Sequence, residues 1–101
     1  MKEIVMSNAL KGEVVTLVSM MGEVVARLKQ VNDDTYVLEH PRLFVPSQEG
    51  SNGGFAPGIS MTGVQDPEEV EVNKAVILTV VKSHESIRDA WIEVTSGILL
   101  P

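Results

Sequence analysis

Residues 13–46, EVVTLVSMMGEVVARLKQVNDDTYVLEHPRLFVP, read as three consecutive strands joined by two tight turns, and this β-meander constrains the fold more than any other stretch of the chain. Val14, Val15, Leu17 and Val18 lead to Gly22. Val24, Ala26 and Leu28 lead to Asn32, Asp33 and Asp34, and Tyr36, Val37 and Leu38 follow. Each run is short, rich in β-branched residues and closed by turn chemistry. In the first run both alternating registers are apolar, Val15, Leu17 and Met21 on one and Val14, Val18 and Met20 on the other, which predicts a strand covered on both faces. The second is more one-sided, since Val24, Ala26 and Leu28 alternate with Glu23, Arg27 and Lys29, while Val25 and Val31 depart from the pattern. Pro41 lacks a ladder N–H, so a bulge, bend or edge position is expected near His40 and Pro41.

Downstream, residues 47–54, SQEGSNGG, carry no apolar side chain and read as a flexible loop. Phe55 to Val64 is a weak strand candidate broken by Pro57, Gly58 and Gly63, and Asp66 to Glu69 reads as a turn. Val70 to Val81 is the second strong β signal, with Ala75, Val76, Ile77, Leu78, Val80 and Val81 forming an almost unbroken apolar run, which predicts a central strand covered on both sides. The period then changes. Ile87, Ala90, Trp91, Val94 and Ile98 recur at three- and four-residue spacing, predicting an amphipathic helix over residues 84–96. Ser83 is expected to cap it, Glu85 suits the positive end of its dipole, and Gly97 is placed to end it. Trp91 is the expected anchor of this helix on the sheet.

A chain of 101 residues makes one domain, residues 1–101, and folding at this size hides only about 60 to 65% of the surface of the unfolded chain. With 44% hydrophobic residues and a mean hydropathy of +0.12, part of the apolar surface is expected to lie between subunits. The formal charge of −6 opposes nonspecific nucleic-acid binding, which needs many Lys and Arg to neutralise phosphates. The acidic excess is uneven. Residues 1–45 carry five basic and six acidic side chains, whereas Glu49, Asp66, Glu68, Glu69 and Glu71 face Lys74 alone in residues 46–76, so an acidic insert on a nearly neutral barrel is expected. With no cysteine there is no disulfide framework, thiolate nucleophile or Cys-type zinc site. The apolar patch Ile4 to Met6 is too short for a signal sequence or a membrane span. A cytoplasmic protein without a membrane partner is the expectation.

No motif carries catalysis. GSNGGFAPG lacks the Gly-Lys-Ser/Thr of a phosphate loop and the spacing of a dinucleotide fold. GISMTG misses the spacing of a nucleophile elbow around Ser60, which has no His and Asp partners in view. His40 and His84 stand in no paired ligand motif. A metal site completed by Asp33, Asp34 or Glu39 is outweighed by plainer roles, a strand residue at the Pro41 bend for His40 and a first-turn helix residue for His84. Neither a metal, a cofactor nor an enzymatic activity is expected. One composite site does follow from the strand plan, in which the turn at Asn32 to Tyr36 and the segment Lys82 to His84 meet at one end of a small barrel. There Tyr36 would stack a base, Asn32 would bond its edge and Lys82 would meet a phosphate, with Asp33 and His84 completing the set. Solvated turn residues are the competing reading.

Residues 13–40 resemble the first signature of the Sm-like (LSM) family, in which an apolar strand leads to a glycine, a second small residue, a leucine, an acidic residue, an asparagine and a closing apolar run. Gly22 matches the first glycine, Ala26 the small residue and Leu28 the leucine, while Asn32 stands at the acidic position and Tyr36 at the asparagine position, before Val37 and Leu38. VILTVVKS shadows the second signature, with Lys82 and Ser83 at its Arg-Gly places. EHPRLFVP, GFAPGISM and SIRDAWIEVTSGI extend the likeness to small Sm-like proteins of marine cyanobacterial phages and marine metagenomes. The resemblance implies a mainly β fold, a small bent five-stranded antiparallel barrel of the Sm-like or SH3-like type, here with a C-terminal α-helix. It further implies a homo-oligomeric ring of about five to seven copies and binding of single-stranded RNA, with infected bacterial cytoplasm as the setting. The alternative is a phage structural or adaptor protein that uses the same barrel for protein contacts without RNA.

Overall fold

The computed structural model describes residues 9–46 and 53–97. The elements that lie wholly within these residues are, in order, β1 (Val14–Ser19), β2 (Gly22–Val31), β3 (Thr35–Val45), β4 (Gly54–Phe55), β5 (Glu69–Asn73), a 3-10 turn (Lys74–Val76), β6 (Ile77–Lys82) and α1 (Glu85–Ser96). The protein is mainly β with a C-terminal helix, as the sequence predicts. All strand pairs are antiparallel, and the sheet runs β4-β3-β2-β1-β6, with β5 also on β3. Among the described residues the sheet is not closed into the expected barrel, since no pairing joins β6 to β4 or β5. The long β3 carries β5 on its first half, Thr35–Glu39, and β4 on its second, while β6 lies on the far side of β1. Among the described residues, β5 and β6 each have one strand neighbour and one open edge.

The meander forms as its alternation predicts. On one face Val15, Leu17, Ala26, Leu28, Tyr36 and Leu38 are buried together, with Val72, Ile77 and Val80 packed against them. On the other, Val14 and Val25 meet Trp91. Val25, which breaks the alternation of β2, is thereby accounted for: it is on the helix-covered face. Met20 and Met21 do not belong to β1. Ser19 pairs with Gly22, so the two methionines form the hairpin turn and are 81% and 86% exposed. The bend expected at Pro41 is present inside β3, where the register against β2 shifts between Arg27↔Glu39 and Val25↔Arg42. His40 has φ 48° there, and Pro41 is fully buried in the position that asks for no N–H.

The run Val70 to Val81 is not one central strand. Asn73 accepts a hydrogen bond from the backbone N–H of Ala75 at 2.8 Å, which draws Lys74–Val76 into a 3-10 turn and sends β5 and β6 to opposite edges. Of the weak strand at Phe55 to Val64, only Phe55 pairs, extending β4 against Phe44 and Val45. Of the loop expected at 47–54, residues 47–52 lie outside the described residues. Gly53 passes so close to β3 that a Cβ would stand 2.5 Å from the Val45 carbonyl, and Gly54 is in β4. Among the described residues no helix is long and apolar enough to cross a membrane.

The helix spans nearly the predicted residues, with a different cap. His84 takes the N-cap and accepts from the Ser86 N–H at 3.2 Å, while Ser83 is buried and shares a 2.8 Å hydroxyl hydrogen bond with Thr16 of β1. Ser83 is still held to the sheet by its own N–H, which donates to Val14, and so it cannot turn toward the helix. Gly97 ends α1 with φ 73° and donates to Glu93 at 3.0 Å. Because a Cβ disfavours this left-handed conformation, Gly97→Ala is expected to lower stability by about 1 kcal/mol, read as a shift in the urea midpoint without loss of β signal. Trp91 is 3% exposed, its indole N–H donates to the His40 carbonyl at 2.9 Å, and the Arg27 guanidinium lies 5.6 Å from the ring centroid. The helix is therefore fixed to the bend of β3.

Candidate functional site

Polar side chains converge where the β2–β3 turn meets the β5–β6 connection. The turn is closed by the Asn32 N–H, which donates to Thr35 at 2.9 Å, and the connection is tied to it by the Lys74 N–H, which donates to the Asp34 carbonyl at 2.8 Å. Thr35 pairs with Asn73 and Tyr36 with Val72, so β5 brings its end to the base of the turn. The Glu71 carboxylate accepts from the Thr35 hydroxyl at 2.8 Å and from the Asn32 amide at 3.4 Å, and the Asn32 oxygen accepts from Gln30 at 2.6 Å. The Lys74 ammonium stands 5.1 Å from the centroid of the Tyr36 ring. Such a set offers amide and hydroxyl hydrogen bonds and one cation among Asp33, Asp34 and Glu71.

Of the residues predicted for this site, the structure brings together Asn32, Asp33 and Tyr36, while Lys82 and His84 are engaged elsewhere. Tyr36 is 9% exposed and belongs to the core, with Lys74 over its ring. Lys82 pairs in register with Val15, two strands from β2, and its ammonium lies 3.5 Å from Glu13. His84 caps α1 and shares a 2.9 Å hydrogen bond with Ser86. The residue that sequence reasoning passes over is Lys74. Its signal was the polar pair Asn73 and Lys74 interrupting the apolar run Val70 to Val81, a turn signal inside an apparent strand.

Elsewhere the surface carries plain structural roles. The Ser60 hydroxyl accepts from the Gly63 N–H at 2.8 Å, closing a turn, and Phe44 packs edge-on against Phe55 beside Ile87 and Ala90 in a shallow apolar hollow between β4 and α1. Lys29 bonds Glu69 at 2.6 Å, and that hydrogen bond together with the carboxylate charge holds its ammonium above the ordinary lysine value. Among the described residues no group of three or more His, Cys, Asp or Glu is placed to hold a metal ion. The chain matches no family model and no curated protein.

Proposed function

We propose that this chain is a non-catalytic Sm-like protein that assembles with copies of itself through open edges of its sheet, β6 of one copy lying along β5 of the next. The observation that carries this reading is the exposure of β6. Leu78 is 68% and Val81 47% exposed on a strand whose other side is paired with β1 except at a bulge at Leu78, so apolar side chains border a row of unpaired backbone groups. The Sm-like resemblance likewise implies edge strands that pair between neighbouring copies.

Charge selects the pairing. On β5, Glu69 and Glu71 are exposed while Val70 and Val72 turn toward the core, so pairing β5 with β5 sets carboxylates against carboxylates. The β6 edge is apolar and ends in Lys82. The favoured contact is therefore head-to-tail, and head-to-tail contacts that close make rings. A closed assembly of five to seven copies is expected by native mass spectrometry. In Leu78→Asp/Val81→Asp the same chain should run as a folded monomer, with unchanged circular dichroism. A wild-type monomer at micromolar concentration would sink the assembly.

Single-stranded RNA binding is the second reading, favoured by the placement of Lys74 beside Asn32 and Tyr36 and repeated once per copy in a ring. Asp33, Asp34 and Glu71 oppose it at the same place. Without RNA, the assembled protein serves as a structural or adaptor subunit.

A further inference from the structure

The chain has five methionines, and those among the described residues, Met20, Met21 and Met61, are all turned out to water. Met61 is 98% exposed, beyond even the two methionines of the β1–β2 hairpin. None of the three belongs to the buried clusters, although the flexible thioether suits irregular gaps in a core. The turns that carry them are fastened by other groups. At the hairpin the Ser19 hydroxyl donates to the Gly22 carbonyl at 2.8 Å and accepts from the Met21 N–H at 3.2 Å. Around Met61 the Ser60 hydroxyl accepts from the Gly63 N–H, and the Gln65 amide donates to the Ser60 and Gly63 carbonyls at 3.0 and 2.9 Å. Ser19 also stands opposite Ile77, so the hairpin turn lies at the end of the sheet where β6 begins, the end that holds the exposed Val76 and Leu78. Met20 and Met21 thus extend an apolar corner at the start of the β6 edge.

We propose that Met20 and Met21 are a reversible oxidation site for hydrogen peroxide, one that makes this corner polar without unfolding the chain. The thioether sulfur attacks one peroxide oxygen and an S–O bond forms as the O–O bond breaks. The proton on the new S–OH group passes to the departing hydroxide, which leaves as water. Sulfur gives up two electrons and the peroxide takes them. A thiol-dependent sulfoxide reductase returns the thioether. With no cysteine in the chain, no thiolate of its own competes for the oxidant. The sulfoxide oxygen is tolerated because each side chain already faces solvent, and the hairpin is held by Ser19 and by the pairing of β1 with β2. At the β6 edge the same change is unfavourable, since two polar sulfoxides beside Leu78 raise the cost of covering that corner. Oxidation therefore loosens the head-to-tail contact, a consequence that rests on the proposed assembly, while the modification itself does not.

Treating the whole chain with hydrogen peroxide tests this, with conversion at each methionine read by peptide mass mapping, fold by far-ultraviolet circular dichroism and assembly by native mass spectrometry. Met20 and Met21 are expected to convert along with Met61, because susceptibility follows exposure. The circular dichroism should stay unchanged while the assembled species gives way to monomer. Met20→Leu/Met21→Leu keeps the corner apolar without sulfur and should stay assembled after the same treatment, whereas Met61→Leu should respond as the wild type does. Met1 and Met6 are common to all three chains. Met20 and Met21 that stay reduced while Met61 converts, or a loss of β signal that the leucine pair prevents, would overturn the site. An assembly that persists with both sulfoxides formed overturns the loosening alone. A wild type that is monomeric before any peroxide is added sinks the assembly, and mapping and circular dichroism then decide the oxidation site by themselves.

Discussion

Trp91→Ala is expected to lower the stability of the protein by about 3–5 kcal/mol, the range for truncating a large buried aromatic side chain. The indole fills the space over Val14 and Val25 and donates to the His40 carbonyl at 2.9 Å. No other side chain of α1 is fully buried, so the loss falls on the anchor of the helix that packs on this face of the sheet. Single domains of this size keep about 5–15 kcal/mol in total, so the variant should sit near the edge of folding. Trp91→Phe keeps most of the packing and loses the N–H, for a smaller cost of about 1–3 kcal/mol, mainly from leaving the His40 carbonyl without its donor. Urea titration followed by far-ultraviolet circular dichroism separates the two. A loss under 1 kcal/mol for Trp91→Ala would mean that the helix does not depend on this anchor.

Tyr36→Ala is expected to cost about 3 kcal/mol, because the ring is part of the cluster formed by Leu28, Leu38 and their neighbours. That result changes how RNA binding must be examined. A tyrosine that holds the core cannot be removed to ask whether it stacks a base, since any loss of binding would follow from loss of fold. Lys74→Ala is the cleaner probe, as the ammonium lies over the ring without filling the core. If the turn meets a phosphate in each copy, Lys74→Ala weakens binding of a labelled oligoribonucleotide and flattens its salt dependence, with the urea midpoint little changed. Binding that is indifferent to Lys74, or absent in the wild type, leaves the protein as a structural or adaptor subunit.

The meander was legible because its signal is local: alternation, a two-residue turn and short β-branched runs are set within neighbouring residues. The same holds for α1, where the spacing from Ile87 to Val94 and the glycine at position 97 mark the helix and its end. Val70 to Val81 misled because an apolar run reads alike whether its second side is covered within the chain or by another molecule. Position in a sheet is a long-range property, and Leu78 and Val81 carry no local mark of an edge. The candidate site suffered in the same way. Asn32 and Asp33 were found from their turn chemistry, whereas Lys82 was chosen for closing a strand, and only the pairing of Thr35 with Asn73 reveals that Lys74 is the cation beside the turn. Tyr36 was an ambiguous residue, since an aromatic at a strand start serves a core or a base equally well until its burial is known.

The pairing of β1 with β6 joins Val15 to Lys82 across most of the chain. During synthesis the meander is complete long before its outer partner exists, so β1 leaves the ribosome as a bare edge with Val14, Val15 and Leu17 along it. Closing so long a loop is slow relative to forming hairpins, and the nascent protein passes through a stage with one more open strand than the finished one.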